Sequence, residues 1–235
     1  MATFEAQVSG LTGLTATFSG STNPQDTEVD QFLKDGVIEV TNRIIELRPQ
    51  DIVNFSREST EQTSNESLDL NGAKIISVVR EADVNNDWRD CRAILPSMQS
   101  RVVDSDSLYF ASVYNPVYTI LEQGQISVFP TPDTGGSKSF KVFYVNNVPQ
   151  DKGGAALLHS HSDIGYFMDD RVYLVVLYAS IASLEAKLGE YTIDEEDIEL
   201  VQAIQVNIAS LKEKYNTAFS LMVPPQQQQA QGPRQ

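Results

Sequence analysis

The chain has 235 residues, 41% hydrophobic and 21% charged, which are the proportions of a folded protein with a sizeable apolar interior. Seventeen Lys and Arg against thirty-two Asp and Glu give a net charge of −15, and such a surface should repel nucleic acids and anionic membranes. This acidity serves solubility, or it suits a protein that works beside DNA without binding it. One cysteine excludes an internal disulfide and a cysteine-built zinc site.

The first residues, MATFEAQVSG, lack the basic and apolar regions of a secretory signal, so secretion is not expected. The longest apolar run, Val172 to Ala182, is too short to span a bilayer, so no membrane insertion is expected. Residues 1–22 mix Gly, Ser and Thr with single apolar side chains and predict an extended N-terminal arm.

An amphipathic helix is predicted over residues 23–48. Asn23 can cap it and Pro24 suits its first turn. Its apolar residues follow at spacings of three and four: Val29, Phe32, Leu33, Val37, Val40, Ile44 and Leu47. The Arg48-Pro49 pair ends the helix, and the polar stretch 57–72 is predicted to be a loop.

Short strand patterns between turn signals predict a small, mostly antiparallel sheet over residues 74–146. Within it, 107–113 reads as a strand and 116–130 as a hairpin that turns near Gly124. The stretch ISVFPTPDTGGSKSFKVFYVN, 126–146, reads as a two-stranded ribbon with a Pro/Gly tip. The aromatic residues of this region are predicted to be core: Phe110, Tyr114, Tyr118, Phe129, Phe140, Phe143 and Tyr144.

Two long helices are predicted over 168–222 and form an αα-hairpin. The first is apolar almost all round and should end at Gly189; the second should start at a capping box beginning at Thr192. A narrow apolar seam close to a seven-residue repeat marks the second helix. Its members are Ile198, Val201, Ile204, Ile208, Leu211 and Tyr215. The Pro/Gln-rich tail, 223–235, cannot pack a core of its own. The predicted class is α+β, with a single domain over 23–222 between the arm and the tail.

No residue pattern indicates catalysis. His159, His161 and Asp163 alternate along an extended segment and could meet one metal ion, but a solvated linker is the better explanation of them. The acidic stretches 83–90 and 104–107 lack the spacing of a calcium loop and fit turns. The chain contains no GxGxxG, Walker, GxSxG or HExxH motif. We therefore expect no enzyme activity, no cofactor and no metal.

The order of segments resembles that of the head-to-tail adaptor (connector) proteins of tailed bacteriophages. Three stretches carry the likeness: NPQDTEVDQFLKDGVIEVTNRI, then PVYTILEQGQISVFPTPDTGGSKSFKVFYVNNVP, then FMDDRVYLVVLYASIASLEAKLGEY with the helix after it. The chain is similar to structural proteins of marine phages with a MATFEAQV-type start. The resemblance covers most of residues 1–222 and includes no catalytic signature.

The resemblance implies a homo-oligomeric ring of twelve copies at the head-tail junction of the virion, assembled in the host cytoplasm. Such a ring lies beneath the portal, adjoins tail-terminator or other neck and tail proteins, and lets DNA pass without specific binding. It implies that the seam packs subunits. It also implies a portal contact at Met222, Val223, Pro224, Pro225, Gln226 and Gln227. A loop contacting the tail or a neighbour is expected at Thr131, Pro132, Asp133, Thr134, Gly135 and Gly136.

Two other functions remain open from the sequence. One is a tail-completion or neck-collar protein of the same particle. The other is a non-viral module that binds a carbohydrate or a metal through the 83–107 loops together with His159 and His161. An acidic enzyme with an unrecognised site is a third and weaker alternative.

Overall fold

The computed structural model describes residues 2–70, 72–82, 87–121, 124–133, 138–194 and 198–222. The helices among them are α1 (Phe4–Thr12), α2 (Asp26–Leu47), α3 (Gln99–Val103), α4 (Val172–Asp194) and α5 (Ile198–Ser220). The strands are β1 (Ser56–Glu58), β2 (Ile75–Glu81), β3 (Trp88–Asp90), β4 (Arg92–Ala93), β5 (Val117–Ile120), β6 (Ile126–Phe129) and β7 (Phe140–Val145). This mixture of helices and sheets confirms the predicted α+β class.

The chain divides into two compact units, a division that the prediction of one domain over 23–222 did not contain. The helical unit combines Met1–Ile52 with Val148–Gln235, and the sheet unit is Val53–Asn147. The two ends of the sequence thus build one unit, and the middle two fifths of the chain builds the other.

In the helical unit, α4 is the central element and contacts α1, α2 and α5. Its side chains are buried on most sides, including Leu174, Val175 and Leu184. At Gly36 of α2 a Cβ atom would lie 3.0 Å from the Tyr178 ring, so the glycine allows the two helices a close approach. Among the described residues, one helical segment is long and apolar enough to cross a membrane: Asp169–Tyr191, which includes most of α4. This helix packs against α1, α2 and α5, as the central helix of a protein core does.

The predicted extended arm is wrong over its first half, because residues Phe4–Thr12 form α1. The Thr3 hydroxyl accepts a hydrogen bond from the Ala6 N–H and caps the helix. Gly13 ends it in the left-handed conformation, at φ 68°. Phe4 and Val8 are fully buried one turn apart, so the helix is held by packing as well as by its caps.

The predicted helices of the main body are confirmed with shifted ends. The α2 helix begins at Asp26, with Gln25 as its cap in place of Asn23. The α4 helix runs through Gly189 to Asp194, beyond its predicted end and into the predicted capping box. Tyr178 lies beside Tyr215 and Glu185 beside Lys212, so α4 and α5 are antiparallel, as the predicted hairpin requires.

The sheet unit has two sheets, where one was predicted. The first has the strand order β1-β7-β2-β3 and is antiparallel; the second has the order β4-β5-β6, in which β4 and β5 are parallel. The predicted hairpin is confirmed as β5 and β6. Both sheets contribute to one apolar core that includes Val78, Ile126, Val128, Phe140 and Val142.

The predicted two-stranded ribbon over 126–146 is wrong, because β6 and β7 belong to different sheets. The stretch 57–72 was predicted to be a loop, but its first residues belong to β1, and its residues Asn65 and Glu66 lie along the edge of β6. The Asn65 side chain exchanges two hydrogen bonds with the Val128 backbone, and the Glu66 N–H donates to the Ile126 carbonyl. The β6 and β7 strands therefore do not form a hairpin, and residues 134–137 of the chain between them lie outside the described residues.

Candidate interaction surfaces

The apolar seam of α5 is used mostly within the chain. Ile204, Ile208, Leu211 and Tyr215 are buried in the helical unit. Val201 is half-buried, and Ile198 is 71% exposed. Four of the six seam residues therefore belong to the chain's own core. Packing of this seam between subunits remains a prediction.

The residues predicted to contact the portal and the neighbouring ring are only partly described. Met222 is buried, with its N–H donating to the Phe219 carbonyl, so its side chain is not free for a partner. Val223, Pro224, Pro225, Gln226 and Gln227 lie outside the described residues. In the predicted contact loop, Thr131 and Asp133 are exposed and Pro132 is half-buried. Thr134, Gly135 and Gly136 lie outside the described residues.

The start of the contact loop is held by a buried arginine of β2. Arg80 is 1% exposed and donates through Nε to the Pro130 carbonyl at 2.8 Å. It also donates to the carbonyls of Glu81, at 2.7 Å, and Thr131, at 3.4 Å. A charge at this depth would be unfavourable without such partners, so Arg80 fixes where the connection leaves the sheet.

The two histidines hold helices together. His159 Nδ1 lies 2.8 Å from an Asp30 carboxylate oxygen of α2. The backbone carbonyls of His159 and His161 accept hydrogen bonds from the N–H groups of Glu5 and Phe4 in the first turn of α1. Among the described residues, no group of three or more His, Cys, Asp or Glu side chains is placed to hold a metal ion.

A concentration of exposed apolar side chains lies on residues 95–114 of the sheet unit. Its members, with their exposed fractions, are Leu95 (71%), Val103 (62%), Leu108 (103%), Tyr109 (49%), Phe110 (43%) and Tyr114 (68%). We call this segment the aromatic lobe. Single exposed apolar residues are common on any protein, but six large ones within twenty residues are typical of a surface that another molecule covers.

The aromatic lobe is an ordered structure with its own small core. The Ala111 N–H donates to the Val102 carbonyl at 2.9 Å and closes the segment between them. Val102, Ala111 and Val117 are buried together beneath it. Neighbours in sequence therefore point in opposite directions: Val102 and Ala111 face inward, while Val103 and Phe110 face solvent.

The prediction of a strand over 107–113 and of core roles for Phe110 and Tyr114 is wrong. The described structure has an isolated bridge between Ser112 and Asn115 in place of a strand. Propensity alone could not reveal this, because aromatic residues favour both strands and interfaces. The available signal was the pair of flanking Asp residues, Asp104 and Asp106, which favours a turn over a strand.

Exposed arginines accompany the aromatic lobe. The Arg101 guanidinium lies 6.0 Å from the centroid of the Tyr109 ring, and that of Arg89 lies 5.9 Å from the Tyr114 ring. Arg89 is paired with Asp87 at 2.9 Å. Arg92, on β4, is also exposed, and neither it nor Arg101 has a carboxylate within ion-pairing distance among the described residues.

The acidic charge is concentrated in the helical unit. That unit has nine Lys and Arg against twenty Asp and Glu, whereas the sheet unit has eight against twelve. On α2, four exposed carboxylates at spacings of seven, four and seven share one helix face: Glu28, Asp35, Glu39 and Glu46. We call this row the acidic stripe, and it extends for about 27 Å at 1.5 Å per residue.

Comparisons with known proteins found no family model and no curated protein that matches this chain.

Proposed function

We propose that this protein is a structural virion protein, a head-to-tail adaptor whose copies form a ring that joins the portal to the tail and continues the DNA channel. The observation that carries the proposal is the aromatic lobe. A lobe with a small ordered core that exposes six large apolar side chains fits a protein whose surface is covered in an assembly.

The acidic stripe supports the second half of the proposal. Proteins bind DNA chiefly through Lys and Arg side chains that neutralise its phosphates and release counterions. A helix face lined with carboxylates that pair with no cation therefore offers DNA no favourable contact. Among the described residues, none of the four stripe carboxylates pairs with a Lys or Arg. A surface of this kind suits the wall of a channel through which DNA slides.

The proposal is tested by removing apolar area from the lobe. A Leu108→Ser/Tyr109→Ser variant should keep its fold, because both side chains are exposed, and should lose ring formation and capture by portal rings of the same particle. The matched control is Val53→Ser/Leu221→Ser, which removes two exposed apolar side chains outside the lobe. Light scattering and co-sedimentation report the two effects. Assembly of the lobe variant at the level of the control would contradict the proposal.

A further inference from the structure

The only two histidines of the chain, His159 and His161, lie in one short segment of the helical unit, residues 157–164. Histidine is the side chain whose charge ordinarily changes between pH 5 and 8. Leu157 and Ile164, at the two ends of the segment, are fully buried, so the segment is anchored in the unit on both sides of the histidines. We call residues 157–164 the histidine segment.

His159 joins the histidine segment to α2 through a carboxylate. Its ring Nδ1 lies 2.8 Å from Asp30 Oδ1, and its backbone N–H donates to the same oxygen. The two side chains are only 20% and 13% exposed. Water and salt screen a pair at this depth less than a pair at the surface. Protonation of the imidazole would therefore turn an existing hydrogen bond into a stronger, charge-assisted one.

His161 also faces a carboxylate, at a greater distance. Its Nδ1 lies 3.9 Å from Asp151 Oδ2 and has no hydrogen-bond partner among the described residues. The other carboxylate oxygen, Asp151 Oδ1, accepts a hydrogen bond from the Ala155 N–H at 2.7 Å. A protonated imidazole carries a proton on both ring nitrogens. Its charge would attract the Asp151 carboxylate, which a neutral ring with a bare Nδ1 does not.

The histidine segment also holds the first turn of α1. The His159 carbonyl accepts a hydrogen bond from the Glu5 N–H at 2.8 Å. The His161 carbonyl accepts one from the Phe4 N–H, also at 2.8 Å. These two N–H groups have no partner within their own helix, because the first turn of any helix leaves such donors free. A helix of nine residues is marginal by itself, so α1 depends on these contacts and on its buried side chains.

The packing of α1 against α4 is incomplete. A cleft of about 370 Å³ opens between the two helices. It is lined by Ala6, Gln7, Gly10, Leu11, Tyr173 and Val176. Side chains that border a cleft lose part of their van der Waals contact, so the apolar interface alone holds α1 less firmly than a close-packed one would. The hydrogen bonds to the histidine segment therefore matter more for its position.

We propose that the histidine segment is a pH-sensitive latch that holds α1 on the helical unit, and that protonation of His159 and His161 tightens it. As the pH falls from 8 to 5.5, each imidazole gains a positive charge beside a carboxylate that stays negative, so the seated state of α1 becomes more stable. As the pH rises through the same range, this stabilisation is lost and α1 opens more often. The latch acts within one chain and is independent of the proposed ring.

The other charged groups around the segment do not produce this response. Glu5 on α1 accepts a backbone hydrogen bond, Asp163 accepts one from the Lys152 N–H, and Lys152 pairs with Asp169 at 2.8 Å. Carboxylates and lysines ordinarily change charge outside the range from pH 5.5 to 8. The α-amino group of Met1, which lies outside the described residues, does titrate near pH 8. Its charge close to a helix N-terminus is unfavourable, so its protonation has the opposite sign.

Hydrogen exchange of the purified full-length protein, followed by mass spectrometry, measures the opening of α1. After correction for the intrinsic pH dependence of exchange, protection of residues 2–14 should rise about tenfold from pH 8 to pH 5.5, about threefold for each imidazole. Peptides from α5 in the same samples are the internal control, and their protection should change much less. This comparison separates a local latch from a general effect of pH on the acidic protein.

Three variants assign the effect to the latch. His159→Gln/His161→Gln should abolish the rise and keep the protection of α1 near its wild-type value at pH 8. Asp30→Asn keeps an acceptor for His159 without the charge and should reduce the rise to about threefold. Glu5→Gln is the matched control, because it removes a carboxylate of α1 and leaves both imidazoles, and it should keep the full rise. Wild-type protection that does not depend on pH, a rise that persists in the double variant, or an equal rise in α5 would overturn the inference.

Discussion

The alkaline stability of the helical unit should depend on Tyr215. The pKa of this phenol is raised from 10.0 to about 12, chiefly by burial and then by the Glu39 carboxylate, while the Arg43 guanidinium opposes the rise. The folded state therefore holds the phenolic proton more tightly than the unfolded state does. The resulting stability is complete below pH 10 and is lost as the pH rises from 10 to about 12.

A Tyr215→Phe variant should lose less stability than the wild type as the pH rises from 10 to about 12. Its free energy of unfolding, measured by urea titration at several pH values, should fall less steeply than that of the wild type between pH 10 and 12. At pH 7 the variant should differ from the wild type by less than about 1 kcal/mol, because the removed hydroxyl has no well-aligned hydrogen-bond partner among the described residues. Parallel curves for the two proteins would show that the hydroxyl is solvated in the folded state.

Substitution of Arg80 should destabilise the sheet unit more than substitution of any other single residue in it. An Arg80→Met variant leaves the carbonyls of Glu81, Pro130 and Thr131 without their buried donor and should lose about 3 kcal/mol or more of stability. The single tryptophan, Trp88, lies in β3 and reports unfolding of this unit by fluorescence. The control is Arg92→Met on the exposed strand β4, for which we expect a change within about 0.5 kcal/mol. Equal stability of the two variants would show that Arg80 is dispensable.

Individual residues also show where the sequence could and could not predict the surface. Ile204 and Tyr215 were predicted as an apolar seam and are buried, because a spacing of three and four identifies one helix face. Phe110 and Tyr114 were assigned to the core and are exposed, because outside a regular element no periodicity says which way a side chain points. The cleft between α4 and α5 that is lined by Tyr178 and Tyr215 was not predicted, since the sequence does not give the relative placement of the two helices.

The α4–α5 pair is expected to hold the helical unit together. An Ile204→Asp/Ile208→Asp variant places two unpaired charges in the interior of the helical unit. This variant should show no cooperative thermal unfolding of helix when it is heated and followed by circular dichroism. Val206 lies on the same helix and is 69% exposed, so Val206→Asp is the matched control and should melt normally. A normal melting curve for the double variant would mean that α5 is not needed for the fold of the unit.

Elements were predicted well where a local pattern decides them. The α2 helix was predicted from apolar residues spaced three and four apart, and the β5–β6 hairpin from two short apolar runs on either side of a turn. Both are confirmed. The α1 helix was missed although Phe4, Val8 and Thr12 recur at the helical spacing, because Gly, Ser and Thr around them favour an extended chain. The separation of β6 from β7 could not be predicted, since strand pairing depends on distant residues such as Asn65.

At the scale of the whole molecule, the distribution of charge follows from the chain path. The acidic residues near both ends of the sequence meet in one unit, so a net charge that is spread along the chain becomes concentrated in space. The net charge of −15 follows from the composition alone, but the excess of negative charge in one unit could be recognised only from the fold.

The concentrated charge should prevent binding to duplex DNA. We expect no detectable affinity in fluorescence anisotropy with a labelled duplex at physiological salt, because few phosphates could be neutralised. Lowering the salt should not reveal binding, since repulsion then becomes stronger. A sub-micromolar affinity that falls steeply with salt would argue against a channel role.

The most direct test of the adaptor proposal is the native mass of the purified full-length protein, measured alone and with portal rings of the same particle. The proposal expects a closed ring of one defined copy number, twelve by the resemblance to known adaptors, formed alone or on the portal. A protein that stays monomeric under both conditions, at concentrations where such rings form, would contradict it.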